Sequence, residues 1–211
     1  SPICIDPNRS VWLECQAMDS NSVWEWRIVS DSLQEPGTSS SAHVVGKLAF
    51  LSGQDEVKQQ ESEFMRLERL IGHQRCVDLL NTTEADDIIQ GRNIYTTFAG
   101  VVDYGEQYRG LKKIVGKGLE SAGRVQKKPS EESWLDAHLG DCFSQVGGIW
   151  VNCMTDHNPD DMFIATGFEK WVRSPALRHG QPRPEIWDVL ACHHRSSEQT
   201  YLSDIFIFDA E

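Results

Sequence analysis

Cysteine pairing motifs are missing from this chain. Cys4, Cys15, Cys76, Cys142, Cys153 and Cys192 occur without a CxxC or a Cys/His ligand spacing. That removes zinc and a disulfide framework as organising devices and leaves small buried thiols in a reducing compartment. Long apolar runs are missing too. No stretch reaches the length needed to cross a membrane, and no basic start with an apolar middle signals export. The expectation is a soluble, intracellular, cytoplasmic protein with no membrane partner. Positive charge is scarce: 20 Lys and Arg stand against 32 Asp and Glu, a net charge of -12. Nucleic acid is a poor partner for such a surface, because phosphate binding needs basic residues that release counterions. The one basic concentration, Arg109 to Lys117 with Arg124, Lys127 and Lys128, reads as a solvated strand face or a patch for an acidic partner. An initial Met is absent and the chain ends on the strand-like Phe206–Glu211, so an excised piece of something longer is expected.

What is present is enough for a core: 211 residues, 39% apolar, with seven Trp and eight Phe. Apolar and polar residues alternate in Val11–Met18 and Val23–Val29 around a turn at Asp19–Ser22, and a third strand follows at His43–Phe50 after the Pro/Gly/Ser-rich Glu35–Ala42. This predicts an antiparallel meander over residues 1–53, without a helix of its own to cover its apolar face. Val57, Phe64, Leu67 and Ile71 then fall at helical spacing on a charged background, and Asn81–Asp87 reads as a loop. Residues 54–90 are therefore expected to be a linker helix and loop. A short helix over Asn93–Val102 should end at Tyr104-Gly105, with Gly105 as a left-handed cap. Strands are expected at Leu111–Val115 and Gly118–Val125, a loop from Pro129 to Glu132, a long helix at Leu139–Met154, and strands at Met162–Ala165, Gly167–Val172, Ile186–Cys192 and Tyr201–Phe208. One long buried helix among antiparallel strands is what a sheet wrapped around a helix requires. Gly147 and Gly148 would let that helix lie close to the sheet, at about 1 kcal/mol each in propensity.

The long helix carries the chemistry. Asp141 stands at its expected leading end and Gln145 one turn later, in apolar surroundings. An ionised carboxylate there is costly unless it is a cap, a ligand or an acid/base group. The helix dipole tolerates the charge in a first turn, and residues four apart address one point. A simple N-cap role for Asp141 stays open beside the catalytic one. His138 could supply an imidazole one turn before Asp141, or bond backbone at the helix entry. His193-His194 lacks a third ligand at metal spacing and is assigned to a strand end, so no metal site is expected. His43, His73, His157 and His179 carry no signal.

The run Asp103-Tyr-Gly-Glu-Gln-Tyr-Arg-Gly110, a strand pair, and Trp134-Leu-Asp-Ala-His-Leu-Gly-Asp141-Cys-Phe-Ser-Gln145 resembles the dehydratase and product-template domains of polyketide synthases. Gly118–Val125 and Val146–Cys153 look closest to the product-template domains of fungal non-reducing synthases. The resemblance implies an α+β double hot-dog fold, with residues 1–53 the C-terminal strands of a first, incomplete hot dog and residues 91–211 the second, and an active-site tunnel between the two. It implies a His/Asp pair in which Asp141 and Gln145 match the Asp-x-x-x-Gln element. The family's His-x-x-x-Gly-x-x-x-x-Pro element occurs nowhere in the chain. Either the His lies upstream, leaving this piece inactive alone, or the domain is degenerate.

The implied activity is regioselective aldol cyclisation and aromatisation of a poly-β-ketone chain carried on the phosphopantetheine of an acyl carrier protein, with no directly bound cofactor. Asp141 would orient the missing imidazole and Gln145 would hold Asp141 or a water. Tyr108, Phe143 and Trp150 are the candidate aromatic walls for substrate. Implied partners are the carrier protein, met by Arg109, Lys112, Lys113 and Arg173, the other domains of the same synthase, and a second copy in a homodimer. A dehydratase acting on β-hydroxyacyl thioesters and a non-catalytic docking scaffold are the competing readings.

Overall fold

In the computed structural model, residues 8–18, 22–33, 40–51, 53–129, 136–158, 160–174 and 184–210 are described, and the chain divides into two compact units, Ser1–Glu63 and Phe64–Glu211. The expected turn at Asp19–Ser22 except Ser22, the Glu35–Ala42 stretch up to Ser39, the loop beyond Pro129, and Cys4, Trp134, Leu135 and His179 lie outside the described residues.

The first unit holds the expected meander: β1 (Arg9–Ala17), β2 (Val23–Ser32) and β3 (Ser41–Ala49), antiparallel in that order. Trp26 pairs with Gly46, and a Cβ on Gly46 would sit 2.5 Å from the indole, so only glycine lets the ring lie across the neighbouring strand. Ser30 is buried and gathers Arg9 and His43: the Arg9 Nε donates to its hydroxyl at 3.0 Å and His43 Nε2 lies 2.7 Å away. Leu13 and Val45 remain 67% and 68% exposed, as expected of strands that lack their own helix.

Helix α1 (Gln54–Ile71) follows the predicted rhythm and buries none of its residues. The second unit continues with α2 (His73–Leu80), β4 (Asp87–Gln90), α3 (Asn93–Phe98), a 3-10 turn at Glu106–Tyr108, β5 (Leu111–Lys117), β6 (Glu120–Gln126), α4 (Ala137–Cys153), β7 (Ile186–Ser197) and β8 (Thr200–Asp209). The strands form one antiparallel sheet in chain order, β4-β5-β6-β7-β8. Alternation along the strands divides its residues between two faces. Ile114, Val125, Trp187, Val189 and Ala191 pack with α4, while Val115, Ala122 and Leu190 pack with Cys76, Leu79 and Leu80 of α2. The sheet thus wraps the long helix as a hot dog does, in an α+β arrangement.

Four expectations are corrected. Residues 73–90 are not a linker, because α2 covers one face of the sheet and β4 forms its edge. Helix α3 stops at Phe98, and Gly105 is extended (φ -63, ψ 158) rather than a left-handed cap. Met162–Ala165 and Gly167–Val172 join no ladder. They form an irregular segment tied to α4 through Asn152, whose amide oxygen accepts from the Phe163 N–H at 2.9 Å and whose Nδ2 donates to the Phe163 carbonyl at 3.0 Å. Of the two helix glycines, Gly147 does face the sheet, where a Cβ would lie 3.7 Å from His193 and 3.8 Å from Ser203, whereas nothing lies within 4 Å of Gly148; the closest approach of α4 depends instead on Gly123 in β6 and Gly110 just before β5. A Cβ on Gly123 would meet Val146 Cγ2 at 2.5 Å, and one on Gly110 would meet Cys142 Sγ at 2.8 Å.

Candidate functional site

Helix α4 begins earlier than its apolar pattern suggests, because Asp136 caps it: the Asp136 carboxylate accepts the Leu139 N–H at 3.0 Å. This satisfies one of the orphan donors of a first turn, and the negative charge suits that end. Asp141 is therefore neither the N-cap nor in the first turn, and its position needs another explanation. It is half-buried, on the side of α4 that meets α3 and the 3-10 turn.

Gln145, only 2% exposed, supplies that explanation. Its Nε2 donates to Asp141 Oδ2 at 2.8 Å and to the Tyr108 carbonyl at 2.9 Å, and its Oε1 accepts from the Tyr95 hydroxyl at 3.0 Å. The amide is saturated, so its orientation is fixed by its partners. Asp141 Oδ2 is thereby held as an acceptor, while Oδ1 has no protein donor among the described residues. Gly110 makes the arrangement possible. Without a side chain it lets the Tyr108–Leu111 backbone press against Cys142, so the Tyr108 carbonyl also accepts from Cys142 Sγ at 3.2 Å. Burial pushes the Cys142 thiol up to about 11, which keeps it a neutral donor.

Tyr95 and Tyr104 stand near enough to feel the charge of Asp141. Tyr104 stacks on Phe98 at 5.9 Å and meets the edge of Tyr95 at 6.0 Å, and Tyr108 stands edge-on to His138 at 4.7 Å. Burial first, and then the charge of Asp141, pushes the Tyr104 hydroxyl up to about 12. Among the described residues His138 makes no backbone hydrogen bond, contrary to expectation, and stands against the Tyr108 ring. It borders a cavity of about 10 Å³, room for one water, together with Gln107, Gln126, Lys128, Asp136 and Cys142. Asp141 is not in that lining.

Of the expected aromatic walls, Tyr108 is joined to Asp141 through the Gln145 amide, whose N–H its carbonyl accepts. Phe143 packs edge-on to Trp187 at 5.6 Å, and Trp150 lies flat against His193 at 3.8 Å; both are buried core residues. His193 is not at a strand end. It lies within β7, 6% exposed, with Nε2 2.9 Å from Ser121 Oγ and Nδ1 2.8 Å from Ser203 Oγ. Burial lowers its pKa to about 4. Of the expected basic contacts, Arg109 is drawn inward to the Tyr104 carbonyl (2.8 Å) and Lys113 to the Leu80 carbonyl (2.6 Å), while Lys112 and Arg173 are exposed. A charged group that the sequence reading passed over is Asp188, 1% exposed beneath α2. Burial opposes its ionisation, but Arg124 at 2.8 and 3.0 Å and His73 at 3.0 Å prevail and hold the carboxyl below its ordinary value. Tyr95, Tyr104 and Asp136 complete the site and also escaped the sequence reading: a cap two residues before an apolar run has a local signal, but Tyr95 has none.

No family model matches the chain. Over all 211 residues it is 99% identical to the non-reducing polyketide synthase epaA of Aspergillus niger and 59% identical to pigA of Monascus ruber. It is 44% identical over 215 residues, 99% of the chain, to the 3-methylorcinaldehyde synthase tropA of Talaromyces stipitatus. The chain spans about 8% of the length of each of these relatives. Among solved structures, the dehydratase domain of RzxB from Pseudomonas fluorescens superposes with a TM-score of 0.57 at 16% identity, covering 100% of this chain and 67% of that one. The dehydratase domain of the CurJ module of curacin polyketide synthase gives 0.53 at 13% identity, covering 96% and 63%. No helix among the described residues is long and apolar enough to cross a membrane.

Proposed function

Since this chain belongs to the fungal non-reducing polyketide synthases, as a stretch with the dehydratase-like hot-dog fold of a product-template domain, we propose that it directs aldol cyclisation of a poly-β-ketone chain, with Asp141 as the carboxylate of a His/Asp pair. The observation that carries the reading is the asymmetry of Asp141. Gln145 secures Oδ2 from within, and Oδ1 is left to accept an imidazole N–H contributed by another part of the synthase. A neutral imidazole near its ordinary pKa suits removal of a proton from a methylene between two carbonyls. The imidazolium that forms gains from a carboxylate fixed beside it. The enolate carbon then bonds to a distant carbonyl carbon of the same chain, whose oxygen takes the proton, and loss of water from the resulting ring makes it aromatic.

The substrate would arrive as a thioester on the phosphopantetheine arm of an acyl carrier protein of the same synthase. Lys112 and Arg173 are the basic residues left exposed for it, and homodimerisation of the synthase is part of the same reading. Tyr104 and Tyr108, rather than the core residues Phe143 and Trp150, would offer the aromatic surface for substrate. In this reading the piece supplies one half of the pair and is inactive alone.

Dehydration is the second reading, favoured by the dehydratase neighbours. It needs a β-hydroxyl, which arises by ketone reduction, whereas the relatives are named as non-reducing. The test is the product class released by the intact synthase. Aromatic rings joined at fixed carbons are expected; linear enoyl products would identify a dehydratase and overturn the cyclase.

A further inference from the structure

The carboxylate of Asp141 is steadied by Gln145, and the amide of Gln145 would itself be free to turn over unless something fixed its polarity. A side-chain amide rotated by half a turn presents oxygen where nitrogen had been, and here that would set Gln145 Oε1 against a carboxylate oxygen. On the nitrogen side Asp141 and the Tyr108 carbonyl oppose this; on the oxygen side the fixing residue is Tyr95, on the short helix α3, fifty residues earlier in the chain. Resting on the cyclase reading of Asp141, we infer that Tyr95 is the positioning residue of the site: its hydroxyl sets the polarity of the Gln145 amide and, through it, which oxygen of Asp141 is offered to the imidazole.

The direction of the hydroxyl proton follows from what surrounds it. The Leu111 N–H, at the start of β5, donates to the Tyr95 oxygen at 2.9 Å, so that oxygen is already an acceptor and its own hydrogen must point elsewhere. Two acceptors lie within reach, Gln145 Oε1 at 3.0 Å and the Tyr108 carbonyl at 3.3 Å. The Tyr108 carbonyl already receives Gln145 Nε2 at 2.9 Å and Cys142 Sγ at 3.2 Å, which fill its two lone pairs. The proton therefore goes to Gln145 Oε1. A single polarised chain runs from the Leu111 amide through the Tyr95 hydroxyl and the Gln145 amide to Asp141 Oδ2. Chains of this kind strengthen each member in a partly dry setting. Burial keeps the hydroxyl protonated well past neutral pH, so the polarity does not reverse in the working range.

The ring of Tyr95 has its own contacts, the edge of Tyr104 at 6.0 Å and the Arg109 guanidinium at 5.8 Å, and phenylalanine would retain them. Tyr95→Phe therefore removes the hydroxyl alone. In the full-length synthase, cyclised product would be measured across pH for wild type, Tyr95→Phe, Gln145→Leu, the double variant and Asp141→Asn. Tyr95→Phe is expected to slow formation of the correctly cyclised product by roughly 3- to 10-fold, the range of one lost hydrogen bond. It should also move the acid limb of the pH profile upward, because that limb follows protonation of the imidazole base, and a carboxylate with less internal support pairs more strongly with the imidazolium. In the Gln145→Leu background the same change should do nothing more, since its route to Asp141 is already cut.

A wild-type rate and pH profile for Tyr95→Phe, or an equal loss in both backgrounds, overturns the inference. Should Tyr95→Phe fail to fold, Gln145→Glu tests the same chain: it keeps the volume and the acceptor for Tyr95 but puts a second carboxylate against Asp141, and an unmoved acid limb would overturn the inference. The two readings separate cleanly. Unchanged products from Asp141→Asn sink the cyclase proposal and this inference together, whereas loss of product there with no effect at Tyr95 sinks the inference alone.

Discussion

At the scale of single residues, two aspartates five positions apart, the cap of α4 and a residue of its second turn, divide tasks that the sequence assigns to one. Asp136 caps the helix and Asp141 does not, so stability and chemistry should respond to different substitutions. Asp136→Ala should cost about 1 kcal/mol in denaturant unfolding of the domain. Asp141→Asn, which keeps the shape and removes only the charge, should leave the unfolding midpoint nearly unchanged. A third residue, His193, couples the fold to pH. Its folded pKa of about 4 lies below the ordinary value of 6.5, so the folded form resists a proton that the unfolded chain accepts. Its contribution to stability is complete above pH 6.5 and is lost as pH falls towards 4, at about 1.4 kcal/mol per pH unit across that window. His193→Asn should show a shallower decline than wild type when unfolding free energy is followed from pH 7 to pH 4; parallel curves would refute the burial account.

At the scale of elements, the distance between α4 and the sheet is set by glycines on the strands. Gly123→Ala would drive a methyl group into Val146 Cγ2 and Leu111 Cδ1, which stand 2.5 and 2.9 Å from that position. Overpacking of this kind typically costs about 1–3 kcal/mol, measured here as a lowered thermal midpoint. Val146→Ala in the same chain should recover part of the loss, because the clash is with its methyl groups. Much at this scale was legible beforehand. Alternation marked β1 to β3 and the strand pair β5–β6, helical rhythm marked α1, and an apolar stretch with one carboxylate marked α4. What escaped had physical causes. The Met162–Val172 segment has the apolar residues of strands, yet Asn152 binds its backbone where a neighbouring strand would, and Ile164 and Phe168 stay about two-thirds exposed at 69% and 68%. Helix α2 is only eight residues long, too short for a clear period, and owes its place to the burial of Cys76, Leu79 and Leu80 on the sheet. The contact of Gln145 with Asp141 was readable from their spacing. Tyr95 was not, because its link to Gln145 spans fifty residues and exists only once α3 and α4 are packed.

At the scale of the whole molecule, the chain spans about 8% of the non-reducing polyketide synthases it matches, and the cyclase reading looks to the rest of such a synthase for the other parties to the reaction. A carboxylate with one oxygen anchored and one available has a purpose only if a donor reaches it, and in the cyclase reading that donor is an imidazole from elsewhere in the synthase. The measurement that bears most directly on this is the product profile of the full-length synthase carrying Asp141→Asn. The account requires that chains still load and elongate on the carrier protein while the native aromatic product disappears in favour of shunt products cyclised without control. Native product at the wild-type rate and regiochemistry would contradict it.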